Sequence, residues 1–260
     1  MFLEVQNVTK VFRSSENEKP IVAVKDLSLS VPRGEFLCIL GPIGCGKSTL
    51  LNMIAGFERP TKGRILLEGK PITGPGPDRV MVFQEETLFP WMTVLENIRF
   101  GLRFKGLSEE ETEEEARRYL SLVGLEKFGD FRPHELSGGM KRKAELARAL
   151  ALNPKLLLMD EPLSSIDAIS KMSLLQEILS IWEKSRKTIV YVTHNIDEAL
   201  FLADRIIVLT ARPAQVKREV VIHNPKPRDL LGSEMIDLKR QLIEELAQSH
   251  ALEEHVSIPG

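Results

Sequence analysis

Apolar positions change their period several times along the chain, and each change marks an element. The opening stretch alternates as a strand does, with Leu3 and Val5, then Val22, Val24, Leu27, Leu29 and Val31 apolar around a polar loop at Ser14 to Pro20. Phe36 to Leu40 is an unbroken apolar run, the pattern of a strand buried on both faces, and Thr49 to Phe57 reads as a helix. Arg64 to Glu68, bracketed by Gly63 and Gly69, reads as hairpin-like, Thr73-Gly74-Pro75-Gly76-Pro77-Asp78 as turns, and Val80 to Phe83 as a short buried strand.

From Thr87 to about Leu152 the period is helical. Ser108 and Glu111 stand at capping-box spacing ahead of a charged segment, Ser108 to Arg118, that reads as a solvated helix face. Strand patterns return at Leu156 to Met159, Ile189 to Val192 and Ile206 to Leu209, separated by helical stretches at Ala168 to Lys184 and Asp197 to Ala203. Such alternation predicts an α/β fold, a mainly parallel sheet covered by helices. The chain then divides into an α/β core at 1–86 and 156–215, a helical insert at 87–155, and an extension at 216–260. That extension runs through Val216 to Ile222 and ends in an amphipathic helix from about Ser233 to Leu252, with Ile236, Leu238, Leu242, Ile243 and Leu246 apolar.

Composition narrows the class. A chain of 260 residues, 43% hydrophobic and 28% charged, can bury a sizeable core in one or two units. The net charge of -2 gives no reason to expect a nucleic-acid partner, and Lys141-Arg142-Lys143 is too short to change that. No stretch approaches the roughly 18 apolar residues of a spanning helix. Met1-Phe2-Leu3-Glu4 lacks a charged-then-apolar secretion signal, so any membrane connection is expected through a partner. Two cysteines cannot make a disulfide framework; Cys38 reads as a small core residue, and a reducing cytoplasm suits both.

The chemistry concentrates where strands end. Gly41-Pro42-Ile43-Gly44-Cys45-Gly46-Lys47-Ser48 lies between an apolar strand and a helix, the context of a phosphate-cradling loop. Its glycines let backbone N–H groups close around phosphate oxygens, Lys47 can neutralise the β/γ charge, and the Ser48 hydroxyl can ligate Mg²⁺ at the positive end of a helix dipole. Leu156 to Met159 delivers Asp160 and Glu161 to a strand end, where ligands of open α/β sheets collect. There Asp160 can hold Mg²⁺ through water and Glu161 can polarise an attacking water. His194, closing another strand, can hydrogen-bond a γ-phosphate; a histidine taken alone in such a place is more often a satisfied core or surface residue. Ser137 is an N-cap candidate, and Gly138-Gly139 after it allow close backbone approach, making a second anion-seeking helix start.

Leu136-Ser137-Gly138-Gly139-Met140, the phosphate loop, Gln84 after a strand, Asp160-Glu161-Pro162, Ser165-Ile166-Asp167 and Thr193-His194 together resemble the motif set of an ABC-transporter ATPase, in order and in separation. The resemblance covers Leu3 to about Asp229. Thr73 to Arg79, Phe83-Gln84-Glu85, Leu88 to Asn97 and His194 to Ala199 are similar to ATP-binding subunits of nitrate/sulfonate/taurine-type importers, a group that also resembles bicarbonate and pyrimidine-precursor importers.

That resemblance implies a P-loop ATPase core with an N-terminal antiparallel β subdomain and an inserted helical subdomain. It implies ATP and Mg²⁺ as cofactors, and two subunits, expected to be a homodimer, facing head to tail on the cytoplasmic face of the membrane. Gly41, Gly44, Cys45, Gly46, Lys47, Ser48 and Thr49 would bind phosphates, while Ser137, Gly138, Gly139 and Asp167 would close the site. Ser48, Gln84 and Asp160 would serve Mg²⁺; Glu161 would be the general base, with His194 and Gln84 beside the lytic water. Phe12 would stack on adenine, although a phenyl ring packs as readily on protein, and both roles stay open. The Gln84 to Trp91 run would meet a permease subunit, with Phe89 and Trp91 open to core packing instead, and an extracytoplasmic solute-binding protein would be linked indirectly.

Some residues depart from the family pattern. Ile43 stands where serine is usual, Lys141-Arg142-Lys143 replaces Arg-Gln-Arg, and Glu145 occupies a position usually small and apolar, where Lys141 or Arg148 is the expected ion partner. Ser164 to Asp167 and Asn195 depart as well. The rival reading is a soluble ABC ATPase acting on an assembly partner, as in iron–sulfur cluster building. A chromosome-organising ATPase would need a long coiled coil between Lys47 and Ser137, and no sustained heptads occur there.

Overall fold

The computed structural model describes residues 1–13, 20–164 and 166–256, those at 168–169 and 248–256 by backbone alone. Most of the polar loop from Ser14 and the motif residue Ser165 lie outside the described residues. In chain order the elements are β1 (Leu3–Phe12), β2 (Ile21–Val31), β3 (Phe36–Leu40), α1 (Lys47–Ala55), β4 (Lys62–Leu67), β5 (Lys70–Pro71), β6 (Arg79–Val82), α2 (Val94–Leu102), α3 (Glu109–Leu122), α4 (Gly138–Ala151), β7 (Leu156–Asp160), α5 (Ala168–Ser185), β8 (Thr188–Thr193), α6 (Ile196–Leu202), β9 (Arg205–Leu209), β10 (Val216–Val221) and α7 (Ser233–Val256). They fall into two compact units, Met1–Gly76 with Thr188–Gly260, and Pro77–Lys187.

In the first unit β2, β1, β4 and β5 form an antiparallel sheet. Its β4–β5 turn pairs Leu67 with Lys70 across Glu68 and Gly69, both at positive φ, as a two-residue primed hairpin turn requires. Beside it, β3 runs parallel to both β8 and β9, and β10 closes antiparallel on β9. Every residue of β3, β8 and β9 is buried, which explains why these strands read as continuous apolar runs. The final helix α7 is longer than its sequence pattern, and among its described side chains Met235 and Leu242 are buried. Ile236 and Ile243, expected in its apolar stripe, face outward; Lys239 ties α7 to Asp197 of α6 at 2.6 Å.

The second unit pairs β6 with β7 in parallel, Arg79 opposite Leu156 through Val82 opposite Met159. Around this pair lie α2, α3, α4 and α5. Both α2 and α3 begin with complete capping boxes, Thr93 with Glu96 and Ser108 with Glu111, so the Ser108 signal read from spacing is realised. The bonds from Ser108 hold the exposed Glu111 carboxyl below the usual range. This unit therefore holds β6, β7 and α5 together with the helical stretch 87–155.

Candidate active site

In the first unit, β3 ends at Leu40 and the chain arches through Gly41 to Gly46 before α1 begins at Lys47. Gly44 and Gly46 both take positive φ, 78° and 121°. At Gly46 a side chain is excluded twice over, since a Cβ would stand 2.5 Å from the Ala23 carbonyl oxygen. The loop is therefore shaped by backbone conformation and by its seat on β2. Lys47 is only 3% exposed, and its ammonium donates to the carbonyls of Gly41 (3.0 Å) and Pro42 (2.8 Å), inside the arch. Cys45 is buried, Thr49 half-buried, and Gly44 and Ser48 exposed. Ile43 projects from the loop tip, 75% exposed.

Arg212 also holds this loop: its Nε and Nη2 donate to the Gly44 carbonyl at 3.1 and 2.7 Å. No local pattern flags that residue, because the contact joins positions 168 apart. His194 follows β8, whose Thr193 pairs with Leu40 of β3, so Gly41 and His194 leave neighbouring strands at the same level. The turn is braced from below. Buried Glu198 accepts from Tyr191 (2.9 Å) and Thr193 (2.8 Å), while the Thr193 hydroxyl accepts from the Asn195 N–H and the Asn195 side chain caps α6. His194 itself is exposed. Phe12, at the end of β1, is 38% exposed with the Lys10 ammonium 4.9 Å from its ring centroid, so it lies outside the core.

In the second unit, β7 delivers buried Asp160, and Glu161 follows, half-buried at φ 42°. That left-handed conformation is uncommon for a carboxylate residue and turns the chain sharply at the strand end. Asp167 accepts from the Ser170 N–H at 3.0 Å and so caps the start of α5. Ser137 caps α4, accepting from Met140 N–H at 3.3 Å. A Cβ added at Gly138 or Gly139 would meet only ordinary contacts, at 3.5 and 3.6 Å. This chain's own packing thus makes no demand for glycine at either position.

Gln84 is exposed, just beyond β6, and the residues around it are tied to α4. Here the structure corrects one expectation. Glu145 is paired with Arg142, at 2.6 Å, rather than with Lys141 or Arg148; Lys141 reaches Glu86 at 3.1 Å and Arg148 reaches Thr87. Burial of Arg148 pushes its guanidinium pKa down, opposed by the Glu145 charge. The apolar run divides: Leu88 is in the core, Phe89 half-buried, and Trp91 66% exposed. Asn97, fully buried, holds the turn, its side chain accepting from Phe89 N–H (2.8 Å) and donating to the carbonyls of Phe89, Met92 and Thr93.

A glycine-shaped phosphate loop on a parallel α/β sheet, in a chain with two acids at another strand end, defines a P-loop nucleotide hydrolase. The family model for ABC transporters matches residues 24–164. Over 231 residues the chain is 46% identical to the nitrate import ATP-binding protein NrtD of Synechococcus elongatus, spanning 88% of this chain and 84% of that one. It is 44% identical over 231 residues to the bicarbonate transport ATP-binding protein CmpD of a Synechocystis species, spanning 88% and 81%. A solved dimeric ATP-binding cassette in a post-hydrolysis state, bound to ADP and Pi, is 33% identical with a TM-score of 0.75, over 86% of this chain and all of that one. The chain belongs to the ABC transporter family and is one of its ATPases.

Proposed function

We propose that this chain is the ATP-hydrolysing subunit of an importer, acting as a head-to-tail homodimer beneath a separate membrane subunit, at the cytoplasmic face. The observation that carries the reading is the α4 start. Ser137, Gly138 and Gly139 expose a helix N-terminus whose glycines this chain does not itself require, which suits close approach to a triphosphate held by a second copy. In such a pair Gly44, Gly46, Lys47, Ser48 and Thr49 cradle the phosphates of one copy, and Ser137 to Gly139 of the other close on the γ-phosphate. Glu161 accepts a proton from the lytic water, with His194 and Gln84 positioning that water and the γ-phosphate. Negative charge builds on the γ-oxygens in the transition state, where the Lys47 ammonium and backbone N–H groups lower its energy.

Ser48, Gln84 and Asp160 offer a hydroxyl, a carboxamide and a carboxylate, an all-oxygen donor set of the kind Mg²⁺ accepts alongside phosphate oxygens and water. Bound there, Mg²⁺ would neutralise part of the phosphate charge. No helix among the described residues is long and apolar enough to cross a membrane. Contact with a membrane subunit is assigned to the aromatic ladder after Gln84, in which Phe89 lies 5.5 Å from Trp91 and 4.8 Å from Phe100, and Phe100 5.8 Å from Phe104. Trp91 and Phe104 at 66% and 80% exposure make it an apolar patch of the sort that docks a partner. Similarity to nitrate and bicarbonate import subunits supports a small inorganic anion as the solute.

Glu161→Gln tests the engine: with ATP and Mg²⁺ it is expected to elute from gel filtration as a stable dimer, and a monomer under those conditions contradicts the reading. Co-purification with a membrane subunit, followed by assay of nitrate and bicarbonate as stimulants of hydrolysis, tests the coupling. Recovery of soluble partners alone would favour an assembly ATPase.

A further inference from the structure

The two departures from the family pattern that follow the signature loop answer each other. Arg142 and Glu145 lie three residues apart on α4, 6% and 2% exposed, and they are bonded at 2.6 Å. Each charge depends on the other there, because a buried ion that loses its partner keeps the cost of lost hydration without the opposite charge that offsets it. Their remaining bonds all go to the segment before α2. Arg142 donates to the carbonyls of Phe83 (2.7 Å) and Gln84 (2.8 Å), and Glu145 accepts from the N–H (2.5 Å) and hydroxyl (3.0 Å) of Thr87. One turn further along the same face, Arg148 donates to the Thr87 carbonyl (2.8 Å) and hydroxyl (2.6 Å). Arg142, Glu145 and Arg148 follow one another at three-residue steps, so one side of α4 grips this loop from Phe83 to Thr87.

We propose that Arg142 and Glu145 are paired positioning residues, a strut that fixes the Gln84 to Thr87 loop to the signature helix so that Gln84 and the Ser137 helix start move as one body. This rests on the roles given above to Gln84 and Ser137. The strut removes this loop's freedom to move apart from α4. A push on the aromatic ladder beyond Thr87 is then passed to the α4 N-terminus without slack, and a displaced signature helix carries the lytic-water residue with it. Neither residue touches ATP, and both act through others.

Amide hydrogen exchange and steady-state hydrolysis on the full chain test this in Glu145→Ala, Arg142→Gln and the double variant. Glu145→Ala is expected to raise exchange at 84–87 by about ten-fold while the exposed first turn of α3, Glu109 to Glu111, which opens locally, stays within about two-fold. Its kcat should fall by about ten-fold with KM for ATP within about two-fold, because ATP capture by the phosphate loop does not use the strut. Removing both charges together should lower kcat by about as much as either single change, far less than the product of the single losses. Unchanged exchange at 84–87 in a folded Glu145→Ala protein overturns the proposal, as does a double-variant loss equal to that product. Should Glu145→Ala not fold, Glu145→Gln keeps the volume and an acceptor for Thr87. It should raise loop exchange by about three-fold, and no rise there is equally fatal. A parent chain that hydrolyses no ATP would count against the function reading, and the exchange data would still decide the strut.

Discussion

Two loops that each follow a strand, Gly41 to Gly46 after β3 and Phe83 to Thr87 after β6, are held by opposite means. The first is shaped from within, by positive φ at Gly44 and Gly46 and by a lysine curled back onto its own carbonyls. The second has no such internal frame and takes its shape from buried charges on a helix some 60 residues later, through pairs separated by 58, 59 and 61 positions. A loop with local constraints tolerates changes elsewhere and fails outright when its own residues change. One built on distant charges fails by losing position while its own sequence stays intact.

Changes to the first loop should be the most severe. Gly46→Ala meets both an unfavourable φ, worth about 1–3 kcal/mol, and a backbone clash, and Lys47→Ala removes the loop's charge. Each is expected to abolish ATP binding in calorimetric titration, and retained affinity in either would show that the loop's frame is not internal. Next comes Glu145→Ala, expected to lower unfolding free energy by about 3–5 kcal/mol in urea titration because Arg142 is left buried and unpaired. A loss below about 1 kcal/mol would place that pair among ordinary surface bridges.

Arg212→Ala sharpens the comparison, since Arg212 is the distant residue that grips the local loop. The loss of a charge-assisted bond to an exposed carbonyl should weaken ATP binding by about five- to ten-fold, with Arg212→Lys intermediate. No change would make the phosphate loop self-sufficient. Smallest is Ser108→Ala at the start of α3, expected to lower stability by about 1 kcal/mol with kcat and KM for ATP unaltered. An altered KM there would mean that the caps of this unit reach the nucleotide.

The same contrast governs what the sequence reveals. The phosphate loop, Asp160 and Glu161 at a strand end, and the Ser137 cap are legible because each is a run of neighbours whose spacing states its geometry. The buried strands β3, β7, β8 and β9 were legible for the same reason, through unbroken apolar runs. Arg212 on Gly44 and Arg142 on Phe83 and Gln84 were not, since a long side chain's target depends on where the fold has carried another segment. Glu145 stood out as a departure, but three cations lay within reach on its helix, and only burial selects Arg142. In α7 the apolar pattern named five residues, whereas the packing buried Leu242 with Met235 and left Ile236 and Ile243 outside, because a helix that meets its neighbour along a narrow seam need not bury a whole face.

The central claim is that two copies share each triphosphate. Separate preparations of Ile43→Cys and Glu135→Cys, both carrying Glu161→Gln, can be mixed and treated with a short bismaleimide; the native Cys38 and Cys45 are buried and leave only the new thiols exposed. With ATP the account predicts a crosslinked dimer that joins one variant to the other and vanishes when ATP is omitted. Mixed samples that stay monomeric at saturating ATP, or that crosslink equally without it, would contradict it.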